Sequence, residues 1–411
     1  MAKSLWGKVY LQGTYVGRLQ EEPGGRVLFT YDDSYLASNR PAIAYTLPRQ
    51  KKPHISEHGL HAFFDNLVAE GWLKNAQAKA LGVPPKNRLA LLLGFGFDLA
   101  GAVSVIDPEP QRHLPLHHAD ESTLAALLGR ASLSGVQRKL MVVKDGAHFR
   151  AAHRTELSTH IAKLSAGNLA HLIELEFLTL LAARTLLPHD VIVAATIETI
   201  PTIRETALII PRFDRTPSGA RIHFEEFNQL FDQRSGDEKY DGSYELMGEF
   251  LLRSPACMPA QADRLLQRIF VCLLVGNTDA HLKNFAMFHT ADGLRLTPAY
   301  DLVAAALYPE YQTIALRLDG ARSLAINQLQ PKHLLHLSTA FGVNAPAVTT
   351  ALTTLATRLP IAIATVLATN VGTKTLREKL ARYMEKRWRG SFASIGRLSS
   401  PKPRRGAKRN G

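Results

Sequence analysis

The sequence predicts an α+β protein with a small strand-bearing N-terminal unit, a mostly β half holding one internal helix, and a mostly helical half. Three observations predict it. Apolar and polar residues alternate over residues 8–33, alternation with hairpin turns returns over residues 135–215, and helical periodicity takes over from Phe224. At 411 residues with 46% hydrophobic content, the chain can build cores for two or three domains.

The elements follow in order. KVYLQGTYVGRL alternates around Gly13, and PGGR turns into VLFTYDD, so a small antiparallel sheet opens the chain. HGLHAFFDNLVAEGWLKNAQAKALG reads as helical, and this first domain is expected to end near Asp107, giving 1–107. PEPQRHLPLHH then has the proline and polar density of a linker. Its histidines, His113, His117 and His118, have no acidic or cysteine partner at a ligand spacing and read as exposed linker residues. A second domain, 108–215, carries two strands in GVQRKLMVVKDGAHFRAA joined at Lys144-Asp145-Gly146, then the strand THIAKL and the helix LIELEFLTLLAARTLL. Two more strands follow in VIVAATIETI and TALIIPRFDR. A helical domain over 216–385 is interrupted only by short alternations at 276–300, and 386–411 is a basic tail without an acidic residue, predicted to be disordered.

Composition narrows the function classes. No continuous apolar run with a cleavage site stands near the start, and the stretch 359–369, with Arg358 and Pro360, fits a short buried helix better than a bilayer span. A cytoplasmic protein without a membrane partner is expected. Cys257 and Cys272 form neither a disulfide framework nor a CxxC pair and read as small core residues. A net charge of +13 favours polyanionic partners: nucleic acid, an acidic protein face or nucleotide phosphates.

The densest polar cluster is GNTDAHLKNFAMF, directly after the apolar helix RIFVCLLV. In an Asp-x-x-x-x-Asn loop, the carboxylate of Asp279 can accept a hydroxyl proton while the amide oxygen of Asn284 binds magnesium. Alone, such a spacing more often marks a capped helix end with nearby loop hydrogen bonds. FAMFHTADGLRLTPAYDL raises its value, because two strands around Asp292-Gly293 would return Asp301 beside Asn284 as a second metal ligand. Lys283 is a phosphate contact or a solvated lysine, and His281 is a loop-fixing residue. Lys163, between apolar neighbours on a strand, is an edge residue or a phosphate-pairing lysine, with Glu176 or Glu174 of the next helix to orient it. ASLSGVQRKLMVV offers Ser132, Ser134, Gln137, Arg138 and Lys139 around a turn that could cradle phosphates, although it lacks a Walker pattern. GFGFDLAG follows no clear strand, so helix packing explains its glycines better than dinucleotide binding. In ALIIPRFDR, Pro211, Arg212 and Phe213 are candidate adenine contacts on the connector between halves, or a strand end capped by Asp214.

Taken in order, SLSGVQRK, THIAKL, the ELEF helix, PRFDR, NTDAHLKNF and TPAYDL closely resemble the HipA family of toxin kinases. VYLQGTYVGRL, HAFFDNLVAEG and DLAGAVSV resemble that family's small N-terminal domain, so the likeness covers nearly everything but the basic tail. The resemblance implies a protein-kinase-like two-lobed fold, with a mostly β N-lobe and a helical C-lobe. It implies a serine/threonine kinase using ATP and Mg2+ to phosphorylate an aminoacyl-tRNA synthetase, the glutamyl enzyme favoured, thereby stopping translation. It further implies a HipB-like helix-turn-helix antitoxin and, through that complex, operator DNA. By motif match, Ser134, Gly135, Val136, Gln137, Arg138 and Lys139 correspond to the phosphate loop, Lys163 to the ATP lysine, and Pro211 to Phe213 to the connector. Asp279 corresponds to the catalytic Asp, His281, Leu282, Lys283 and Asn284 to the nucleotide-binding loop, and Tyr300 with Asp301 to the second metal motif. Ser132 matches the inhibitory autophosphorylation serine, with Ser134 as a second possible site. Arg138 departs from the acidic residue many members carry there. The competing class is a DNA-binding co-repressor with vestigial nucleotide binding, in which the basic charge matters most.

Overall fold

The computed structural model describes residues 4–109, 123, 126–127, 137–153, 156–165, 167, 169–258 and 260–395. The chain divides into two compact units, one built from Met1–Leu180, Val191–Gly242 and Ala280–Asp301, the other from Leu181–Asp190, Ser243–Asp279 and Leu302–Gly411. The first is rich in strands and the second in helices. This is the mixed α and β class the sequence predicts.

Among its described residues the first unit carries three antiparallel sheets. β1 (Trp6–Leu11), β2 (Thr14–Glu21), β3 (Val27–Tyr31), β4 (His54–Ser56) and β5 (Val103–Ile106) lie in the order β4-β3-β2-β1-β5. The β1–β2 reversal uses Gln12 and Gly13, both at positive φ, the twist that two-residue hairpins favour. Alternate residues Val9, Leu11, Val16, Leu19 and Phe29 are buried in one apolar cluster. The second sheet, in the order β7-β6-β8-β10-β9, comprises β6 (Lys139–Asp145), β7 (His148–Ala151), β8 (His160–Leu164), β9 (Thr196–Ile200) and β10 (Glu205–Pro211). The third is β11 (Phe224–Glu226), β12 (Ala286–Thr290) and β13 (Gly293–Leu296).

Several local expectations are corrected. HAFFDNLVAEGW is not one helix but two, Ala62–Asp65 and Gly71–Leu81. Between them the Asn66 side chain donates to the carbonyls of Ala62 and Gln233, a distant contact that stops helical continuation. Residues 191–193 are not part of a strand: they pair as a bridge, with Val193 N–H donating to Ala299 and Ala299 N–H to Val191. Phe224 starts a strand rather than a helix, because residues 224–226 pair with β12. The apolar stretch near Leu359 belongs to a helix of 24 residues, Ala345–Ala368, which continues through Pro360. By length and composition alone it could cross a membrane. It buries Val348, Leu352, Leu355, Leu359, Ala362 and Val366 and leaves threonines exposed along its other side.

GFGFDLAG is indeed packing rather than a cofactor loop. Gly94, within the last turn of the helix Arg88–Phe95, packs closely on Leu81, and a Cβ at Gly96 would lie 2.4 Å from the Val105 carbonyl. Its hidden function is Asp98. This fully buried carboxylate meets Arg212 at 3.0 Å and Arg215 at 2.6 Å and accepts from the Ser158 hydroxyl at 2.7 Å, while Asp214 bonds the same two arginines. The network ties residues 98–101 to the end of β10. Burial alone would raise the Asp98 pKa, but Arg212 and Arg215 hold it at about 2.

Removing one member leaves buried charge unpaired, so Asp98→Ala is expected to lower unfolding free energy by about 3–5 kcal/mol in urea titrations. The pH dependence has a defined sign. The folded carboxyl binds its proton at about 2 whereas an unfolded one does so near about 3.9, so its contribution is full above pH 4 and is lost as pH falls toward 2. Asp98→Asn should flatten the acid limb of the stability profile; an unchanged limb would refute the assignment.

Candidate active site

Lys163 sits on β8 between Lys139 on β6 and Leu208 on β10, in the middle of the second sheet. Strand alternation turns its side chain away from Ala162 and Leu164, which are buried in the apolar cluster. The ammonium is 2.5 Å from Glu176 and also pairs with Asp301. Glu176 lies in the helix Leu172–Leu186 and is fully buried, whereas Glu174 points to His171 with its side chain 29% exposed. One of the two glutamates therefore reaches the lysine and the other does not. Burial works against the charge on Lys163, and Asp301 with Glu176 more than offsets it, so its pKa stands above the ordinary value.

Asp301 is brought to this lysine by the turn from β12 into β13. Thr290 pairs with Gly293 across Ala291-Asp292, and the chain returns along β12 to reach Asp301, which adopts φ +56°. A non-glycine residue in this left-handed region is held there by its surroundings. Asn284 Nδ2 donates to Asp301 Oδ2 at 2.7 Å, and Asn284 Oδ1 accepts from His281 N–H at 2.9 Å. Against the desolvation cost, Lys163 and then Lys139 hold the Asp301 carboxyl well below the usual range. Burial, with Lys163 adding to it, pushes Lys139 down.

The loop residues have other duties than the sequence could reveal. Lys283, a candidate phosphate contact, is buried with its ammonium 2.7 Å from Glu70 and 3.7 Å from Glu226. Burial and Glu70 push Glu226 up to about 7 against the pull of Lys283. His281 is buried edge-on to Tyr240, and burial with Lys239 lowers its pKa to about 3, leaving a neutral ring. Leu282 is fully buried, and the Tyr300 hydroxyl donates to the Lys283 carbonyl at 2.8 Å. Phe213 packs on Tyr300 with ring centroids 5.3 Å apart. Pro211 ends β10 exposed, and Arg212 is spent in the Asp98 network, with its N–H donating to the Thr159 carbonyl and its own carbonyl accepting from the Arg215 N–H. Arg138 pairs with Glu205 at 3.0 Å, and Gln137 donates to the Leu164 carbonyl. Ser132, Ser134, Gly135 and Val136 lie outside the described residues, as do His113, His117, His118 and residues 396–411 of the basic tail. The expectation of disorder from residue 386 is corrected for 386–395: Lys386 and Arg387 end the helix Lys374–Arg387, residues 388–392 continue helical, and Phe392 and Ile395 are buried.

Asp279 belongs to the second unit, and Ala280 opens the next stretch of the first. The helix Ala260–Val275 ends at Gly276, at φ +82°, where a Cβ would lie 2.5 Å from the Tyr383 ring, so only glycine fits. Thr278 then donates its hydroxyl to the Tyr311 carbonyl at 2.7 Å and accepts from Ala315 N–H. These bonds fix the loop and leave Asp279 exposed next to buried Asn277 and Thr278.

Asp301 holds a hard carboxylate oxygen beside a buried lysine, and the Asn284 amide, whose NH2 bonds that carboxylate, holds a second hard oxygen now bonded to the His281 N–H. That donor set suits magnesium with phosphate oxygens, since Mg2+ takes few protein ligands. Glu70 and Glu226 are the site residues that sequence reasoning missed, since their partner is Lys283, far along the chain.

An ammonium clamped by a helix glutamate stands beside an amide and carboxylate pair, an arrangement whose chemistry suits phosphate oxygens and hard cations. Family comparison is more specific: the HipA N-terminal domain matches residues 7–106 and the HipA-like C-terminal domain residues 131–363, so the chain belongs to the HipA family. Y4dM of Sinorhizobium fredii, named as an inferred kinase, is 30% identical over 80% of this chain and 84% of its own length. The serine/threonine-protein kinase toxin HipA of Shewanella oneidensis is 28% identical over 74% of this chain and 76% of that protein. A chain from the solved complex of Shewanella oneidensis HipA, HipB and operator DNA superposes with a TM-score of 0.75 at 23% identity, over 95% of this chain and 99% of that one. The shared fold is thereby evident.

The Lys163–Glu176 contact yields a prediction. Lys163→Ala should cost about 3–5 kcal/mol in urea unfolding by leaving Glu176 buried and unpaired, and Lys163→Met with Glu176→Leu should recover most of it. Equal losses in single and double variants would show that the pair is not coupled.

Proposed function

We propose that this chain is the toxin kinase of a toxin–antitoxin pair, transferring the γ-phosphoryl group of ATP to a serine or threonine of a protein. The observation that carries this reading is the Lys163–Glu176–Asp301 ion cluster with Asn284 hydrogen-bonded to Asp301, in a chain of the HipA family. Lys163 binds the nucleotide phosphates and Glu176 keeps its ammonium oriented. Asn284 and Asp301 would hold Mg2+, which would neutralise phosphate charge when bound. Phe213 and Tyr300 form an aromatic surface for the adenine end. Asp279, exposed on its pinned loop, orients the acceptor hydroxyl and takes its proton as the new O–P bond forms and the bond to the β-phosphate oxygen breaks, releasing ADP. Positioning and electrostatics supply most of the rate. His281 stays neutral and structural, and Lys283 shapes the loop through Glu70 rather than touching phosphate.

The acceptor in this reading is an aminoacyl-tRNA synthetase, the glutamyl enzyme first, in the cytoplasm. A HipB-like antitoxin restrains the kinase and carries it to operator DNA. The name of the Shewanella relative supports the kinase and toxin reading, and the composition of the solved complex supports the antitoxin and operator partners; the synthetase acceptor rests on the family resemblance. Autophosphorylation at Ser132, or at Ser134, would place a doubly charged group beside the nucleotide phosphates and weaken ATP binding by repulsion.

Two outcomes check this. Asp279→Asn should lose at least about 1,000-fold in transfer from labelled ATP while binding ATP as wild type does, in line with loss of an essential catalytic group; normal transfer by this variant would sink the proposal. Phosphopeptide mass spectrometry after expression without antitoxin should find phosphate on Ser132 or Ser134 in wild type and none in Asp279→Asn, and Ser132→Glu should bind ATP more weakly.

A further inference from the structure

Away from the lysine and its partners, a second cluster on the third sheet has no part in phosphate transfer. His223 precedes β11 and Glu225 lies within it, so the i, i+2 spacing puts both side chains on one face. His289 on β12 stands opposite, its N–H donating to the His223 carbonyl. One donor atom from each of the three residues lies within 4.8 Å of the others. The His223 and His289 ring centroids are 4.7 Å apart.

The hydrogen bonding is incomplete in an informative way. His223 is 5% exposed, and its Nε2 faces the Ile43 carbonyl at 2.8 Å. A carbonyl only accepts, so Nε2 carries the proton and Nδ1 is a bare lone pair, and Nδ1 has no partner. Glu225 is fully buried. Its Oε2 accepts from Tyr45 N–H at 2.8 Å and meets His289 Nε2 at 2.6 Å, while its Oε1 has no partner. Two buried acceptors without donors, on adjacent residues of one face, are costly unless a cation satisfies them. The His289 side chain is 20% exposed and leaves a route for an ion and a solvent ligand.

We propose that His223, Glu225 and His289 form a zinc site of two histidines and one carboxylate, with solvent completing the coordination. Imidazole with carboxylate is a donor set that favours zinc over magnesium. The Ile43 carbonyl and Tyr45 N–H act as outer-shell partners, the first fixing the His223 ring and the second the carboxylate. The ion would pin the segment after β3 to the strand that leads from Asn284 toward Asp301.

The test uses the full chain, dialysed against EDTA and then titrated with zinc chloride by calorimetry, with zinc counted by mass spectrometry after gel filtration. One equivalent per chain is expected, unaffected by millimolar magnesium. His223→Asn and His289→Gln should each weaken zinc binding by at least about 100-fold, since even outer-shell changes at zinc sites cost about 10–100-fold. Asp301→Asn, which alters the other centre, and His148→Gln on the exposed β7 should keep the full equivalent. Should His223→Asn fail to fold, His289→Gln at its partly exposed position carries the comparison, with circular dichroism confirming its fold. Less than a tenth of an equivalent on the folded wild type, or an unchanged affinity in His289→Gln, would overturn the proposal.

Discussion

The first unit is organised around an ammonium that has no business being dry. Lys163 is buried among strands, and taking its charge out of water would cost several kcal/mol without partners. Glu176 and Asp301 offset that cost, and each comes from a different element: a helix in which Glu176 lies thirteen residues on, and the end of a hairpin more than a hundred residues away. The sheet, the helix and the hairpin must all be in place before the charges balance. The cluster therefore links the register of β8 to the position of the segment that bears Asn284 and Asp301.

A second ion network performs a parallel task with no chemistry of its own. Asp98, Asp214, Arg212 and Arg215 alternate in sign and are nearly free of solvent, and Ser158 and the Gly101 amide take the remaining carboxylate lone pairs. The N-terminal sheet is joined in this way to the end of β10 by bonds with strict directional demands. Apolar packing alone would allow small slips there. Lys283 with Glu70 and Glu226 repeats the pattern between the short N-terminal helices and the loop after Asp279.

Much of this was legible in the sequence, and what was not has physical reasons. Strand alternation and a Gln-Gly turn announce β1 and β2, and the Asp-Gly reversal before LRLTPAYDL places Asp301 near Asn284. Lys163 between apolar neighbours is visible as an anomaly, but periodicity could not choose Glu176 over Glu174, since both fall within reach of one helical turn. Partners far apart in the chain defeated local reading. The break after Asp65 depends on Gln233, the role of Lys283 on Glu70, and the role of Arg212 on Asp98. The strand at 224–226 is three residues long and owes its form to β12 rather than to its own propensity. Asp279 was legible as a loop residue after an apolar helix, whereas the need for glycine at position 276 comes from Tyr383.

The Asn284 amide has a consequence for how the centre is loaded. Its NH2 group donates to Asp301 and its oxygen accepts from the His281 amide, so the polar groups satisfy one another before any ion arrives. In the proposed kinase reading, cation entry would be an exchange: the amide would give up two bonds and turn its oxygen outward. The gain would be the difference between two well-bonded states, a shallow equilibrium of the kind that would suit an ion arriving and leaving with a nucleotide.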